Sequence, residues 1–507
     1  MIYIGNDNNI TLKVGTETVT AAYMGTEQVY PNVVPPIDYS MMYFTTEAID
    51  DTVIHLSENL TSFEVSKDNG QTWTTTGSYP GIFNLGLLAG EKAYWRCSQP
   101  LNNSSSVNPQ DYGIAHMDGT YRFKVYGNIM SLFWDDNFED KTVFPGSSRD
   151  YVYGLRHFFK NATTLVDVQN LVIPVTEEYL CSRMFDGCSN LVNAPQLPAT
   201  TLAFNCYGYM FNGCTSLTTA PVLPATTLVQ NCYGYMFNGC SSLNNITCLA
   251  TDISATGCTN YWVENVAATG TFTKPLSMSS WTNGINGIPD AWTTETYLEE
   301  KPFLPTTTFT PQGYVTFIAN TDNSAIGLLR ESTNQTMYFS KNGTDWMTLN
   351  GEEKMSMNNG DTYYCCGMLS GNNTNSDYTQ FYMKGSIAAS GNCNAIWDYS
   401  DLNAALKSSC GTHMFDGCTS LTTAPVLPAT TLVSRCYNYM FQGCTNLNYI
   451  KAMFTTKPTG STITSSTYNW VSGVSQTGTF VKNIAATWTN TGTYAVPTGW
   501  TIETATE

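Results

Sequence analysis

Apolar pairs recur along this chain at one interval. Phe158-Phe159, Met184-Phe185, Met210-Phe211 and Met236-Phe237 stand 26 residues apart. Leu165, Leu191, Leu217 and Leu243 each follow the first residue of a pair by seven, and Gly187, Gly213 and Gly239 hold another column. The pattern lapses and returns at Met414-Phe415 and Met440-Phe441, with Gly417, Gly443, Leu421 and Leu447 in place. "GCTSLTTAPVLPATTLV" occurs word for word at 213–229 and 417–433. Repetition at a fixed period marks a stack in which each unit covers its neighbour's apolar side.

The polar and apolar positions of one unit predict its elements. "LTTAPVL" from Leu217 is β-biased and stops at Pro224, so it reads as a short strand. Thr226 or Thr227 can cap a helix start, and "VQNCYGYMF" is long enough for two helical turns. Gly239 would end that helix in the left-handed conformation. Stacked strands would lie ~4.8 Å apart in a parallel sheet. The predicted solenoid core is Phe185, Met210, Phe211, Leu217, Met236, Phe237, Leu243, Met414, Phe415, Met440 and Phe441.

A larger unit is also written twice. "SKDNGQTW" (Ser66–Trp73) answers "SKNGTDW" (Ser340–Trp346), and "LFWDD" at 132–136 answers "AIWDY" at 395–399. "IPDAWTTET" around Trp292 answers "VPTGWTIET" around Trp500. The expected fold is mainly β with short helices: a small N-terminal β docking segment, then two tandem modules, each a β-sandwich plus a solenoid of the 26-residue units. The expected boundaries are 1–35 for the docking segment, 36–140 for the first sandwich, 141–260 for the first solenoid and 261–300 for its β cap. A linker at 301–312 follows, within the extended stretch 298–312, which holds Pro302, Pro305 and Pro311. The second sandwich is then 313–395, the second solenoid 396–450 and the C-terminal cap 451–507.

The first 32 residues differ from everything after them. Strands are expected at Leu12–Val14, Thr18–Met24 and Gln28–Tyr30, with tight turns at Gly15 and Gly25. So small a sheet has almost no core of its own and must pack on something else. "NVVPPIDY" (Asn32–Tyr39) would be a stiff tether.

Composition narrows the function. Net charge is −18 and only seven arginines are present, all scattered, which disfavours nucleic acid as a partner. The start "MIYIGNDNNI" lacks the features of a secretory signal, and no apolar run is long enough to span a bilayer. Sixteen cysteines without a signal argue for reduced thiols. The column of Cys206 and Cys232 holds Leu180 one block earlier, and that of Cys188, Cys214 and Cys240 holds Ala162. These slots accept ordinary apolar residues, so the thiols are expected to be small core hydrophobes rather than ligands. Zinc-like spacing is lacking. Cys365 and Cys366 are expected on opposite faces of a strand. Asp135, Asp136, Glu139 and Asp140 lack EF-hand spacing and are expected in a solvated loop. His55, His116, His157 and His413 sit in no triad or metal motif, and His157 and His413 are expected on the repeat surface. No phosphate-loop, nucleophile-elbow or dinucleotide fingerprint appears. No catalytic residue, metal site or cofactor is expected.

Three resemblances add to this reading. "MFNGCTSL" with "LPATTL" resembles the BspA-type leucine-rich repeat, which implies a scaffold. "SKDNGQTW" is similar to the Asp-box of sialidase-like propellers, which implies a hairpin turn and not a catalytic site. Val19, Ala21, Tyr23, Gly25, Val29 and Tyr30 resemble the opening of virion proteins of crAss-like phages infecting Bacteroidota, as does "YGNIMSL" at 126–132. That last resemblance implies a non-enzymatic head or tail fibre or decoration protein located in the virion. Val19, Tyr23, Val29 and Tyr30 would dock it to other virion proteins, as a homo-oligomer. The repeat modules would face a glycan or protein of the host surface. The rivals are a BspA-like bacterial surface adhesin and a glycan-active enzyme built around the Asp-box.

Overall fold

A computed structural model of the chain describes the short strands within residues 2–30 and residues 41–58, 63–77, 81–97, 115–141, 154–173, 177–278, 281–374 and 376–505. The chain forms two compact units, Met1–Glu295 and Thr296–Glu507. The architecture is mainly β in several sheets, as expected.

In the first unit, Ile2–Tyr3, Lys13–Val14 and Glu17–Thr18 form a three-stranded antiparallel sheet, and Ala22–Met24 pairs with Glu27–Tyr30. The strand expected over Thr18–Met24 is thus two strands belonging to two sheets. The tether at Asn32–Tyr39 and the turn residues Gly15 and Gly25 lie outside the described residues.

The first sandwich has a small sheet in the order Gly81–Leu87, Thr52–Glu58, Ala115–Gly119. Its large sheet runs Leu165–Asp167, Phe123–Asn128, Phe44–Ala48, Lys92–Cys97, Phe63–Ser66, Thr74–Thr75. Inward residues of both sheets share one core: Ile54, Leu56 and Met117 meet Phe44, Trp95 and Val125. Phe83 stands edge-on to Trp95 across the gap, ring centroids 6.2 Å apart. Phe123–Asn128 closes the sandwich and pairs in parallel with Leu165–Asp167, the first strand of the solenoid. One continuous sheet therefore carries sandwich into stack, and no raw apolar end is left at that side of the repeats.

The second sandwich repeats this strand order. Its small sheet holds Glu353–Met357, Ser324–Arg330 and Gln380–Lys384. Its large sheet runs Asp345–Thr348, Gln335–Ser340, Thr362–Leu369, Val315–Ala319, Ile387–Gly391 and on through the solenoid strands Leu421–Thr423, Tyr449–Ala452, Thr479–Lys482 and Thr501–Thr504. The solenoid strands pair in parallel.

Residues 298–312, expected as a linker, are built into this second sandwich. Glu299–Glu300 lies parallel to Glu353–Met357, and Thr307–Thr308 lies antiparallel to Asp345–Thr348. Prolines keep the stretch extended, and each exposed sheet edge offers amides and carbonyls to pair with it.

Both solenoids end in a tryptophan cap. Trp262 stacks on Trp281 and stands edge-on to Phe272. Trp470 and Trp488 both stand edge-on to Phe480, and Trp488 stacks on Phe454. Gly270 and Gly478 pass so close to the Asn244 and Asn448 carbonyls and the Trp292 and Trp500 rings that any Cβ there would collide. Thus one glycine in each cap lets a tryptophan seal the last rung.

Candidate binding surface on the rungs

The segment expected to be a two-turn helix is not helical. From Asn231 to Cys240 the chain makes consecutive turns whose amides alternate in partner. Tyr233, Tyr235, Phe237 and Gly239 donate to carbonyls of the next rung (Cys258, Asn260, Trp262 and Glu264) at 2.8–2.9 Å. Gly234, Met236, Asn238 and Cys240 donate three residues back within their own rung. Every fourth residue is left-handed: Asn231 at φ 58, Tyr235 at 57 and Gly239 at 76. The same spacing recurs at Asn205, Tyr209 and Gly213. An α-helix tolerates neither feature, since it keeps all its amides to itself and needs negative φ throughout. A non-glycine left-handed residue costs ~1–2 kcal/mol, and the inter-rung bonds offset it. Asn and Gly eight residues apart were the available sequence signal, because these types adopt that conformation most readily.

The winding points one set of side chains inward. Phe159, Phe185, Phe211 and Phe237 stack nearly parallel with centroids 5.5–5.8 Å apart. Phe381, Phe415 and Phe441 do the same in the second unit. Phe185, Met210, Phe211, Leu217, Met236, Phe237, Leu243, Met414, Phe415, Met440 and Phe441 are all 0% exposed.

All sixteen cysteines are free and buried. One column has a further role that spacing did not reveal. Cys188, Cys214 and Cys240 point their Sγ at the carbonyls of Phe159, Phe185 and Phe211, 3.0–3.2 Å away. Cys418 and Cys444 do likewise toward Phe381 and Phe415. The thiol is thus filler and weak donor together, stitching each rung to the one before. Burial pushes the Cys206, Cys240 and Cys436 thiols up to about 12, so no nucleophilic thiolate forms near neutrality. Cys365 and Cys366 are adjacent in the strand Thr362–Leu369 and both fully buried. Among the described residues, no cluster of His, Cys, Asp or Glu is arranged to hold a metal.

A second set of side chains points outward as a ridge. The Arg183 guanidinium lies 3.8 Å from the Tyr209 ring centroid. Tyr209 stacks on Tyr235 at 4.4 Å, and Tyr235 on Tyr261 at 5.1 Å. The second unit builds the same ridge from Tyr378, His413 and Tyr439, spaced 4.6 and 4.4 Å. Arg330 lies over Tyr378, and Tyr468 meets Tyr439 edge-on. Stacking consumes the ring faces, so the ridge offers ring edges and a polar rim. Asp186 accepts from both Arg183 and Asn212 beside it, and Glu264 accepts from Asn238.

The remaining candidates have structural partners. Asp68 accepts from Ser66 at 2.6 Å and from the Thr72 amide and hydroxyl at 2.8 and 2.6 Å, closing the hairpin from Phe63–Ser66 to Thr74–Thr75. Those hydrogen bonds hold its carboxyl down at about 2. Asn342 closes the matching turn in the second unit. Of the acidic run, Asp136 accepts from Arg96 and from the Tyr43 hydroxyl. Partial burial pulls its pKa up, but those partners hold it below the usual range. His413 is half-buried and its Nδ1 lies 2.7 Å from Asp416. His157, expected on the surface, is 7% exposed. It stands on the first rung, where the sandwich strand Ala115–Gly119 lies against the stack through Met117 and His116. His55 bonds Asn84 and Thr120 on the sandwich. Of the expected docking residues, Tyr23 lies in Ala22–Met24, Val29 and Tyr30 lie in Glu27–Tyr30, and Val19 lies outside the described residues.

Residues 157–274 and 400–473 match the BspA type Leucine rich repeat region, in six copies. These two segments are BspA-type leucine-rich repeats. The match runs past the last regular 26-residue blocks, to rungs where Trp262 and Trp470 stand in the methionine column. Comparison with curated proteins and with solved structures finds no match.

Proposed function

We propose that this chain is a non-enzymatic adhesion protein of a phage particle, held at its N-terminus and presenting two BspA-type repeat modules to a bacterial surface. The observation that carries the binding reading is the ridge built twice. Arg183, Tyr209, Tyr235 and Tyr261 in one unit, and Tyr378, His413 and Tyr439 in the other, form rows of half-exposed polar aromatics on a rigid stack. Two similar surfaces on one chain favour weak, multivalent contact with a repetitive target such as a glycan. The N-terminal strand pairs support anchoring, since such small sheets need an external partner. A second reading, a BspA-like adhesin on a bacterial cell, is favoured by the repeat match itself.

The test is binding of purified chain to bacterial cells, with each module alone and with both. Two modules are expected to bind at least ~10²-fold more tightly than one if linkage is productive, and Tyr235→Ala with Tyr439→Ala should abolish the gain. Equal binding by one module and two overturns the multivalent reading. Particles lacking residues 1–35 of this protein are expected to lose it. Continued incorporation, or immunolabelling of cells and not particles, replaces the virion assignment with the adhesin.

A further inference from the structure

The column beside the outward ridge is as regular as the ridge itself. Three residues after each ridge position of the first unit stand Asp186, Asn212, Asn238 and Glu264. In the second unit Asp416 and Gln442 follow His413 and Tyr439 by the same interval. Every one of these is a carboxylate or a carboxamide. Asp186 is buried and holds Arg183 and Asn212, whereas Asn212, Asn238 and Glu264 are half-exposed. Asn212 gives an amide proton to Asp186, and Asn238 donates to Glu264 and to the Tyr261 carbonyl. The carboxamide oxygens are not used in these bonds.

The ridge also advances in even steps with little twist. Tyr209, Tyr235 and Tyr261 are spaced 4.4 and 5.1 Å, their rings inclined by 3° and 17°. Tyr378, His413 and Tyr439 are spaced 4.6 and 4.4 Å, inclined by 27° and 9°. A ligand that uses several rungs at once must repeat at that step. An extended peptide advances ~3.3 Å per residue and turns the same face outward only at every second residue, so its side chains fall out of phase. A docking helix needs an apolar groove, and this rim is polar. The net charge of −18 disfavours nucleic acid. One pyranose unit of an extended polysaccharide spans close to one rung step. Its hydroxyls both donate and accept, which suits a surface of carboxamides, carboxylates and phenols.

We propose that each ridge, with the row beside it, reads a neutral, extended polysaccharide laid along the stack, one sugar to a rung. This inference rests on the ridge being the binding surface and supplies the class of its ligand. Tyrosine edges and hydroxyls would flank one side of the sugar chain and the carboxamide row the other. The Tyr209 and Tyr235 hydroxyls lie close enough to bond one another, so the polar line is continuous from rung to rung. Neutrality follows from charge. Arg183 is already paired with Asp186, and Glu264 and the acidic chain as a whole repel a uronate or phosphate.

Calorimetric titration of the full chain with β-1,4-linked gluco-, manno- and xylo-oligosaccharides of two to six units is the test. At least one series is expected to gain ~tenfold in affinity from two units to four, as further net hydrogen bonds form, and to level off beyond four, where the first ridge ends. Coiled α-1,4 malto-oligosaccharides and anionic oligogalacturonates are expected to show no such rise. Tyr235→Phe keeps the stacked ring and removes the hydroxyl, so it should weaken the tetrasaccharide about fivefold with an unchanged circular dichroism spectrum. Periodate, which cleaves sugar diols, should strip the binding sites from bacterial cells, and protease should not. Binding of cells that survives periodate, no binding in any β-1,4 series, equal affinity for two units and four, or a Tyr235→Phe chain with wild-type affinity each overturns the polysaccharide while leaving the ridge as the binding surface. Wild-type cell binding by Tyr235→Ala with Tyr439→Ala removes the ridge itself, and this inference with it.

Discussion

Trp73 and Trp346 hold the same place in two hairpins of nearly the same sequence, yet they live in different surroundings. Trp73 is half-buried, with the Arg96 guanidinium 4.2 Å from its ring centroid and Tyr43 edge-on to it. Trp346 is 0% exposed, stacked on Phe309 and donating its indole N–H to the Phe309 carbonyl at 2.9 Å. The hairpins themselves are closed alike, through Ser66 and Asp68 in one and Ser340 and Asn342 in the other. The difference comes from the chain that leads in. Residues 298–312 lie along both outer edges of the second sandwich and turn its hairpin tryptophan into core. A repeated strand order thus leaves open which edges and aromatics meet water; the segments between repeats decide it.

The comparison breaks most sharply at the phenylalanine stack, which both units share. Phe211→Ala and Phe415→Ala each remove a fully buried ring lying between stacked neighbours, so each is expected to cost ~3–5 kcal/mol. In denaturant, each variant should weaken only its own unit's transition. Equal loss in both transitions would mean that the units unfold as one.

The hairpin tryptophans come next. Trp346→Ala is expected to cost ~3–5 kcal/mol and Trp73→Ala clearly less, since deletion cost follows burial. Equal costs would show that the lead-in segment adds nothing to the second sandwich. A smaller effect is expected at the thiols. Cys214→Ala should cost ~1 kcal/mol for one weak donor and a small loss of volume, because the first rung already carries Ala162 there. A thiol-reactive dye should leave all sixteen cysteines unlabelled until the chain unfolds. Labelling of the folded protein would mean that the rungs open.

Acid and base sharpen the contrast further. Burial, and then the charge of Glu353, raises Glu331 from 4.5 to about 7. The folded second unit therefore binds a proton more tightly than its unfolded chain does. Its contribution is fully present below pH 4.5, falls as pH rises through 7, and is flat beyond. Glu331→Gln should remove that decline from a denaturation series. Asp68 runs the other way. Its hydrogen bonds lower it from 3.8 to about 2, so its contribution is present above pH 3.8 and lost as pH falls through 2. Asp68→Asn copies the second unit's turn and should flatten that acid limb.

Much of the architecture could be read in advance because stacking imposes a period. Columns of Phe, Met, Leu and Gly at 26-residue intervals identify the rungs and their buried side chains, and the repeated tryptophan phrases identify the caps. The winding departs from the expected helix for a physical reason. "VQNCYGYMF" has acceptable helical propensity, but in the stack half of its amides find better-placed carbonyls on the next rung. The outward ridge is hidden in the sequence for a related one. His157, Arg183, Tyr209, Tyr235 and Tyr261 share a column but not a residue type, so periodicity in letters does not expose it.

By itself the sequence determined that this chain stacks, which residues the stack buries, and that the plan is built twice, because burial of apolar surface at a fixed period leaves a mark in every copy. Only the tertiary structure decided that the rungs wind through left-handed turns, that thiols donate to neighbouring carbonyls, and that residues 298–312 cover the edges of the second sandwich. Those outcomes depend on which backbone groups and edges come within reach across many residues, and local pattern carries no record of that distance.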